Sequence, residues 1–291
     1  MPKNATVKDM EGFMVKLGHV MAAVACLLAG VTTTACNQKT EPTHSAPPEQ
    51  IAPFVSWYGG YKMLELLEEP APLTEAKDLA GLLKRKWTYG GEFRVYRDVP
   101  PDVFNEKEAL AKAFTLSSCE GYLAQANVRL WTVTQHEDTG AIFRDMTMMC
   151  RATQIMLTGT QPGKTYLQSL QFDKSLPGKL PVHVSLNTRL GGSSEIASIK
   201  ANKSLKLWKD VAHITQVEEL GSRHAIYHDA SGGMQELELV AKADFNGDKI
   251  EDMLITSRDS VVGGSYKNVR LFMLTKYSET GEVVMLNEYE Y

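Results

Sequence analysis

Hydrophobic residues follow three different patterns along this chain. Residues 20–35, VMAAVACLLAGVTTTA, carry no charge at all. From 73 to 156, apolar residues recur mainly at intervals of three and four, as on a helix with one buried face. LTEAKDLAGLLKRKW (73–87) places Leu79, Leu82 and Leu83 behind a capping Thr74, which predicts a helix. GGEFRVYRDV (90–99) alternates and predicts a strand, and NEKEALAKAF (105–114), with acids in its first turn, predicts a second helix. Leu116, Cys119, Leu123, Ala126 and Leu130 keep helical spacing, as do Phe143, Met146, Met149, Cys150, Ala152 and Met156. The turn-forming QHEDTG (135–140) lies between these two sets.

From Thr165 onward the period shifts to two. YLQSLQF (166–172), PVHVSLN (181–187), HAIYHD (224–229) and MQELELVAKAD (234–244) predict strands, and ASGG (230–233) turns the last pair. SSEIASIKANKSLKLW (193–208) predicts one helix among them, capped by Ser193 or Ser194. DMLITS (252–257), NVRLFMLTKY (268–277) and EVVMLNEYEY (282–291) predict a closing meander, with SETG (278–281) joining the second strand to the third. Helices early and antiparallel strands late predict an α+β fold. It has a helical N-terminal half with a disulfide-linked hairpin and an antiparallel β-meander in the C-terminal half. The expected organisation is a mainly helical subdomain over 53–160 and a mainly β subdomain over 161–291, or one continuous domain spanning both.

Composition supports a globular chain: 43% of the 291 residues are hydrophobic and 23% charged. The net charge of −4 and the single short basic run LKRKW (83–87) argue against nucleic acid as a partner, because phosphate binding needs many clustered cations.

The uncharged stretch 20–35 is shorter than the about 20 apolar residues that a membrane-spanning helix needs. A lysine before it and small residues at its end mark a secretory signal over 1–35. Asp9 and Glu11 dilute the positive end, so translation from Met14 is an alternative to Met1. TTAC (33–36) resembles the lipobox of bacterial lipoproteins, with Ala35 beside the cleavage point. The resemblance implies acylation of Cys36 and anchoring to the membrane through an N-terminal lipid. Cleavage at Cys26, or by an ordinary signal peptidase, is the alternative. Asn37 after the cysteine implies, by the same resemblance, the outer membrane, facing the periplasm or the cell surface. The polar, proline-bearing NQKTEPTHSAPPEQ predicts a flexible tether over 36–52.

Cys119 and Cys150 are the cysteines left in the folded part, and an even pair in an exported chain predicts a disulfide. Their midpoint falls at the edge of the 135–140 turn. Two antiparallel elements joined there, either helices or strands, bring the two sulfurs opposite each other.

The densest candidate chemistry is ADFNGDKIEDMLI (243–255). Asp244, Asn246, Asp248 and Asp252 occupy positions 1, 3, 5 and 9 of a loop, and Ile250 at position 7 offers a backbone carbonyl. Alternate oxygen donors suit Ca²⁺, which takes six to eight of them. Position 12 is Ile255 rather than glutamate, so this is not an EF-hand. The strand-like flanks make the loop the tip of a β-hairpin, and DFNGD…D followed by a strand resembles the calcium hairpin of integrin-type FG-GAP repeats. The resemblance implies a structural calcium ion. Gly247 permits the sharp turn. Lys249 stands where glycine is frequent, and a left-handed backbone there costs about 1–2 kcal/mol.

His224 and His228 are four apart, but on a strand they lie ~13 Å from each other and cannot share a metal. Motifs for nucleophilic, metalloprotease, phosphate-loop and dinucleotide chemistry are absent from the sequence. The expected role is therefore binding or scaffolding by a lipid-anchored envelope protein with a structural calcium ion. The alternative is an envelope-tethered hydrolase of glycan or peptidoglycan. A cleft with two convergent carboxylates outside 244–252 favours the hydrolase, and exposed Trp57, Tyr58 or Tyr61 favours binding.

Overall fold

An eight-stranded antiparallel sheet carries the molecule, and its central strands alternate so that each face buries a different set of side chains. The computed structural model describes residues 49–52, 55–57, 76–87, 93–97, 107, 111–125, 128–133, 137–186, 202 and 204–290. The predicted signal over 1–35, Cys36, Tyr58, Tyr61 and most of the helix predicted over 105–114 lie outside them.

The strands of the large sheet are β1 (Glu49–Ala52), β2 (Val55–Trp57), β6 (Ile214–Gly221), β7 (His224–Asp229), β8 (Gly233–Ala243), β9 (Asp252–Val261), β10 (Lys267–Thr275) and β11 (Val284–Glu290). Their path runs β1-β2-β8-β9-β10-β11. One edge of β8 pairs with β7 along its first half and with β2 further on, past a bulge between Leu239 and Ala241. β6 then pairs with β7. The predicted hairpins at 230–233, 244–252 and 278–281 join the strands as expected. Glu49–Ala52, assigned to the tether by sequence, instead form β1 by pairing with β2.

One face of this sheet packs on helices. α1 (Ala76–Lys84) buries Leu79 and Leu82. α2 (Cys119–Leu123) begins at Ser118, whose hydroxyl accepts from the Gly121 amide at 3.2 Å. α3 (Glu137–Met156) buries Phe143, Met146, Met149 and Cys150 against Val240, Leu254, Leu271 and Met273 of the sheet. The unbranched, polarizable methionines fill this seam as core. Trp87, Phe93 and Phe143 meet at ring-centroid separations of 5.1–6.3 Å.

Cys119 and Cys150 form a disulfide between α2 and α3, with Cα atoms 5.1 Å apart. The helical spacing over 116–130 proves to be broken, because Leu116 and Leu130 belong to β4 (Phe114–Leu116) and β5 (Leu130–Thr132). These two flank β3 (Phe93–Arg97) in a three-stranded sheet. Ser118 starts a helix between them, and the β-favouring Leu-Trp-Thr pairs with β3 instead of continuing it.

The opposite face of the large sheet is covered by chain with little regular structure. The strands predicted over 166–172 and 181–187 are not formed in the described residues. Leu176–Gly178 and Val182–Val184 are single 3-10 turns, beside Pro177 and Pro181. Proline cannot donate to a ladder, and local bonds such as Val184 N to Pro181 O satisfy the backbone. The alternating apolar residues instead plug the sheet: Leu167, Leu176, Leu180 and Val184 pack with Trp208 on Leu237, Ile255 and Phe272. Most of the helix predicted over 193–208 lies outside the described residues, and its far end, Trp208–Asp210, is one more 3-10 turn.

A buried ion pair pins this cover in place. Arg270, 1% exposed, donates through Nε to Asp259 Oδ2 at 2.7 Å. Its other nitrogens donate to the carbonyls of His183, Val184 and Ser185 at 3.0–3.2 Å. Gln235 Nε2 donates to the Val184 carbonyl at 2.8 Å and to Asp259 Oδ1 at 3.3 Å.

Candidate functional site

The β8–β9 hairpin sets the first group of candidate residues. Ala243 and Asp252 face each other as the last pair of the ladder, so the loop closes over eight residues between firm strand ends. Asp244 turns inward: Oδ1 accepts from the Gly247 amide at 2.7 Å, and Oδ2 from the Lys249 amide at 2.9 Å. Asn246 Oδ1 accepts from the Asp248 amide at 2.9 Å, and its Nδ2 donates to Asp248 Oδ2 at 3.0 Å. Asp248 Oδ1 accepts from the Ile250 amide at 2.8 Å. Asp252 Oδ2 accepts from the Phe245 amide at 2.9 Å, whereas Oδ1 is buried and receives no hydrogen bond.

Burial pushes the Asp252 carboxyl up to about 6. The Phe245 amide and the nearby Thr275 hydroxyl pull the other way, and the charges of Asp248 and Asp244 raise it further. The Thr275 hydroxyl itself points to the Glu251 carbonyl at 3.4 Å. The structure thus gathers the side chains of Asp244, Asn246, Asp248 and Asp252 into one loop. Ile250 sits in a short parallel bridge with Lys164.

Sequence gave no hint of a second segment at this loop. Residues 160–164, just after α3, clamp it: Thr160 and Asp244 exchange backbone bonds at 2.8 and 3.0 Å, and the Thr160 hydroxyl reaches Asp244 Oδ2 at 3.1 Å. The Gly163 and Lys164 amides both donate to the Lys249 carbonyl. Lys249 is left-handed at φ 67°, and Gly247 at 85°. The strain expected at position 6 is therefore present. Lys249→Gly should stabilise the metal-free protein by a net of about 0.5–1 kcal/mol, since relief of the left-handed cost outweighs the added chain entropy. Urea unfolding in a chelator checks this, and a loss of stability would contradict it.

A second polar constellation lies at the far end of the helix-facing side of the sheet. Glu236 and Glu238 are two apart on β8 and so share a face; His224 of β7 stands opposite Glu238, and Arg258 of β9 opposite Glu236. His224 Nε2 and Glu236 Oε1 are 2.9 Å apart. Arg258 donates through Nε to Asp145 of α3 at 3.1 Å and through Nη1 to Glu238 Oε2 at 3.3 Å, with Glu236 Oε1 at 3.5 Å. The bond to Glu236 raises the His224 pKa, against a desolvation that lowers it. Burial raises that of Glu238, opposed by the Arg258 charge. A cavity of ≈ 230 Å³ adjoins the group, with Asp145, Glu236, Arg258, Ile226 and Met234 in its wall.

His224 and His228 do lie on one strand, and they have separate partners: His228 pairs with Glu218 at 2.6 Å. What sequence missed was the cross-strand company of His224. The available signal was the two-residue spacing in QELEL, which sends both glutamates to one face while leucines take the other. Among the described residues no helix is long and apolar enough to cross a membrane. No protein-family model, curated protein or solved structure matches this chain.

Proposed function

We propose that the chain is a lipid-anchored protein of the bacterial cell envelope, held at Cys36, with a helix-rich N-terminal half and a binding or scaffolding role. Its 244–252 hairpin takes a structural Ca²⁺. The observation that carries the calcium reading is Asp252 Oδ1, a buried carboxylate oxygen with no donor, in a loop shared with Asp244 and Asp248. Three carboxylates on one short loop repel, and a hard cation both neutralises them and occupies that oxygen. The ion holds the hairpin, because its expected ligands all come from one loop. Export is supported by the apolar 20–35 segment, the TTAC at 33–36 and the disulfide, a bond that persists in oxidising compartments.

Calcium should raise the melting temperature of the purified chain. With a dissociation constant near ~10⁻⁴ M, about 10 mM Ca²⁺ adds roughly 2.7 kcal/mol of stability, reversed by chelation and lost in Asp252→Asn. An unchanged melting temperature refutes the calcium site. In cells fed labelled palmitate, label on the wild type but not on Cys36→Ser supports the anchor, and equal labelling refutes it.

The cavity favours a second reading, the envelope hydrolase of glycan or peptidoglycan. Its wall carries Asp145 and Glu236, two carboxylates outside 244–252 that converge on Arg258. Turnover of a glycan substrate that Asp145→Asn abolishes would establish it.

A further inference from the structure

We propose that His224, Glu236 and Glu238 bind a divalent transition-metal ion, Zn²⁺ being the first choice, at a site separate from the 244–252 hairpin. One imidazole nitrogen and two carboxylate oxygens lie within 4.8 Å of one another. Zinc takes such donors at ~2.0–2.2 Å, so pairs of its ligand atoms stand roughly 3–3.5 Å apart in a tetrahedral shell. The 2.9 Å between His224 Nε2 and Glu236 Oε1 needs only a small spreading to reach that edge. The three residues project from two paired strands, His224 directly across from Glu238, so the ladder already holds the donors together.

Charge points the same way. Asp145, Glu236 and Glu238 bring three carboxylates to the single guanidinium of Arg258. A divalent cation would add to Arg258 in neutralising these acids. Arg258 does not have to leave. Its bond from Nε to Asp145, at 3.1 Å, lies outside the proposed ligand set, while its contacts to Glu238 and Glu236 are longer, at 3.3 and 3.5 Å. An imidazole donor selects zinc and its neighbours over calcium or magnesium, which prefer oxygen alone.

The cavity is the second, independent observation. Of the three proposed ligands Glu236 lines its ≈ 230 Å³, together with Arg258, so that edge of the site meets space for water or a small ligand. Three protein donors leave a fourth zinc position open, the arrangement of sites at which the metal meets a ligand rather than one closed for structure alone. A small anion held between the metal and Arg258 is the chemistry that this geometry suits.

The test uses the untagged full chain, stripped with chelator and titrated with ZnCl₂ by calorimetry and thermal melting. The expected result is one tight equivalent of zinc and a raised melting temperature. His224→Gln and Glu238→Gln should each weaken binding by more than about tenfold, since even loss of an outer-shell partner costs 10–100-fold. His228→Gln, whose ring pairs with Glu218, should bind as the wild type does. Wild-type protein supplies a readout that no variant can confound: zinc should protect His224 but not His228 from diethyl pyrocarbonate, read by mass spectrometry. Absence of zinc binding, binding unchanged in His224→Gln and Glu238→Gln, or equal modification of His224 with and without zinc would each overturn the proposal. The calcium response of the hairpin is measured separately and stands or falls alone.

Discussion

Arg270→Met should cost about 3–5 kcal/mol of stability, the largest loss expected from any single substitution described for this chain. The arginine is 1% exposed and its partner Asp259 is fully buried, so truncation leaves a carboxylate in the interior with its counter-ion gone. Three carbonyls, those of His183, Val184 and Ser185, lose a donor at the same time. Gln235 cannot compensate, because its amide neutralises no charge. Adding Asp259→Asn to Arg270→Met should recover part of the loss, since the fully buried partner is then neutral and only the less buried Glu288, also paired with Arg270, keeps its charge. Urea unfolding of the two variants checks the pair. A single-variant loss below about 1 kcal/mol would mean that the guanidinium is not enclosed as described.

Replacing Cys119 and Cys150 together by alanine should cost about 3–4 kcal/mol. The bond joins residues 31 apart in sequence, and releasing that loop returns its entropy to the unfolded chain. Both cysteines are almost wholly buried, at 2% and 0% exposed, so reductant should act slowly on the folded protein and fully on the unfolded one. Unfolding curves of the wild type with and without reductant, beside those of the double variant, measure the effect. Coincident curves would show that the bond carries no stability.

The two results depend on features of very different visibility in the sequence. The cysteine pairing was legible, but not the turn behind it: residues 137–140 of the predicted 135–140 turn open α3, and β5 lies between the two helices that the bond joins. The elements themselves were less legible: Leu116 and Leu130 kept a helical interval while lying on two strands. Spacing records which residues are buried, and a strand, a short helix and a second strand can bury the same set.

The 244–252 hairpin was legible as a turn between two strands, with a left-handed Lys249, because its acidic residues lie close together in sequence. Its clamp at 160–164 was not, being 84 positions away at Thr160 and Asp244. The His224 group lies between these cases. Its residues come from β7, β8, β9 and α3, and only the ladder register brings them together. Arg270 left a fainter trace: a charged residue inside NVRLFMLT, a run too apolar to have a wet face, implies an interior partner. Neither β6 nor the 3-10 cover could be read, the first because its strand is largely exposed and the second because prolines break an otherwise strand-like alternation.

The order of the strands also governs when the chain can fold. Phe143 and Met146 of α3 rest on Val240, Leu254, Leu271 and Met273, residues made about a hundred positions later. At roughly 5–20 residues per second, the apolar side of α3 stays uncovered for on the order of ten seconds of synthesis. During that interval the emerging polypeptide has no finished core to close around. The helix-facing core of the early half is completed only once the last central strand has arrived.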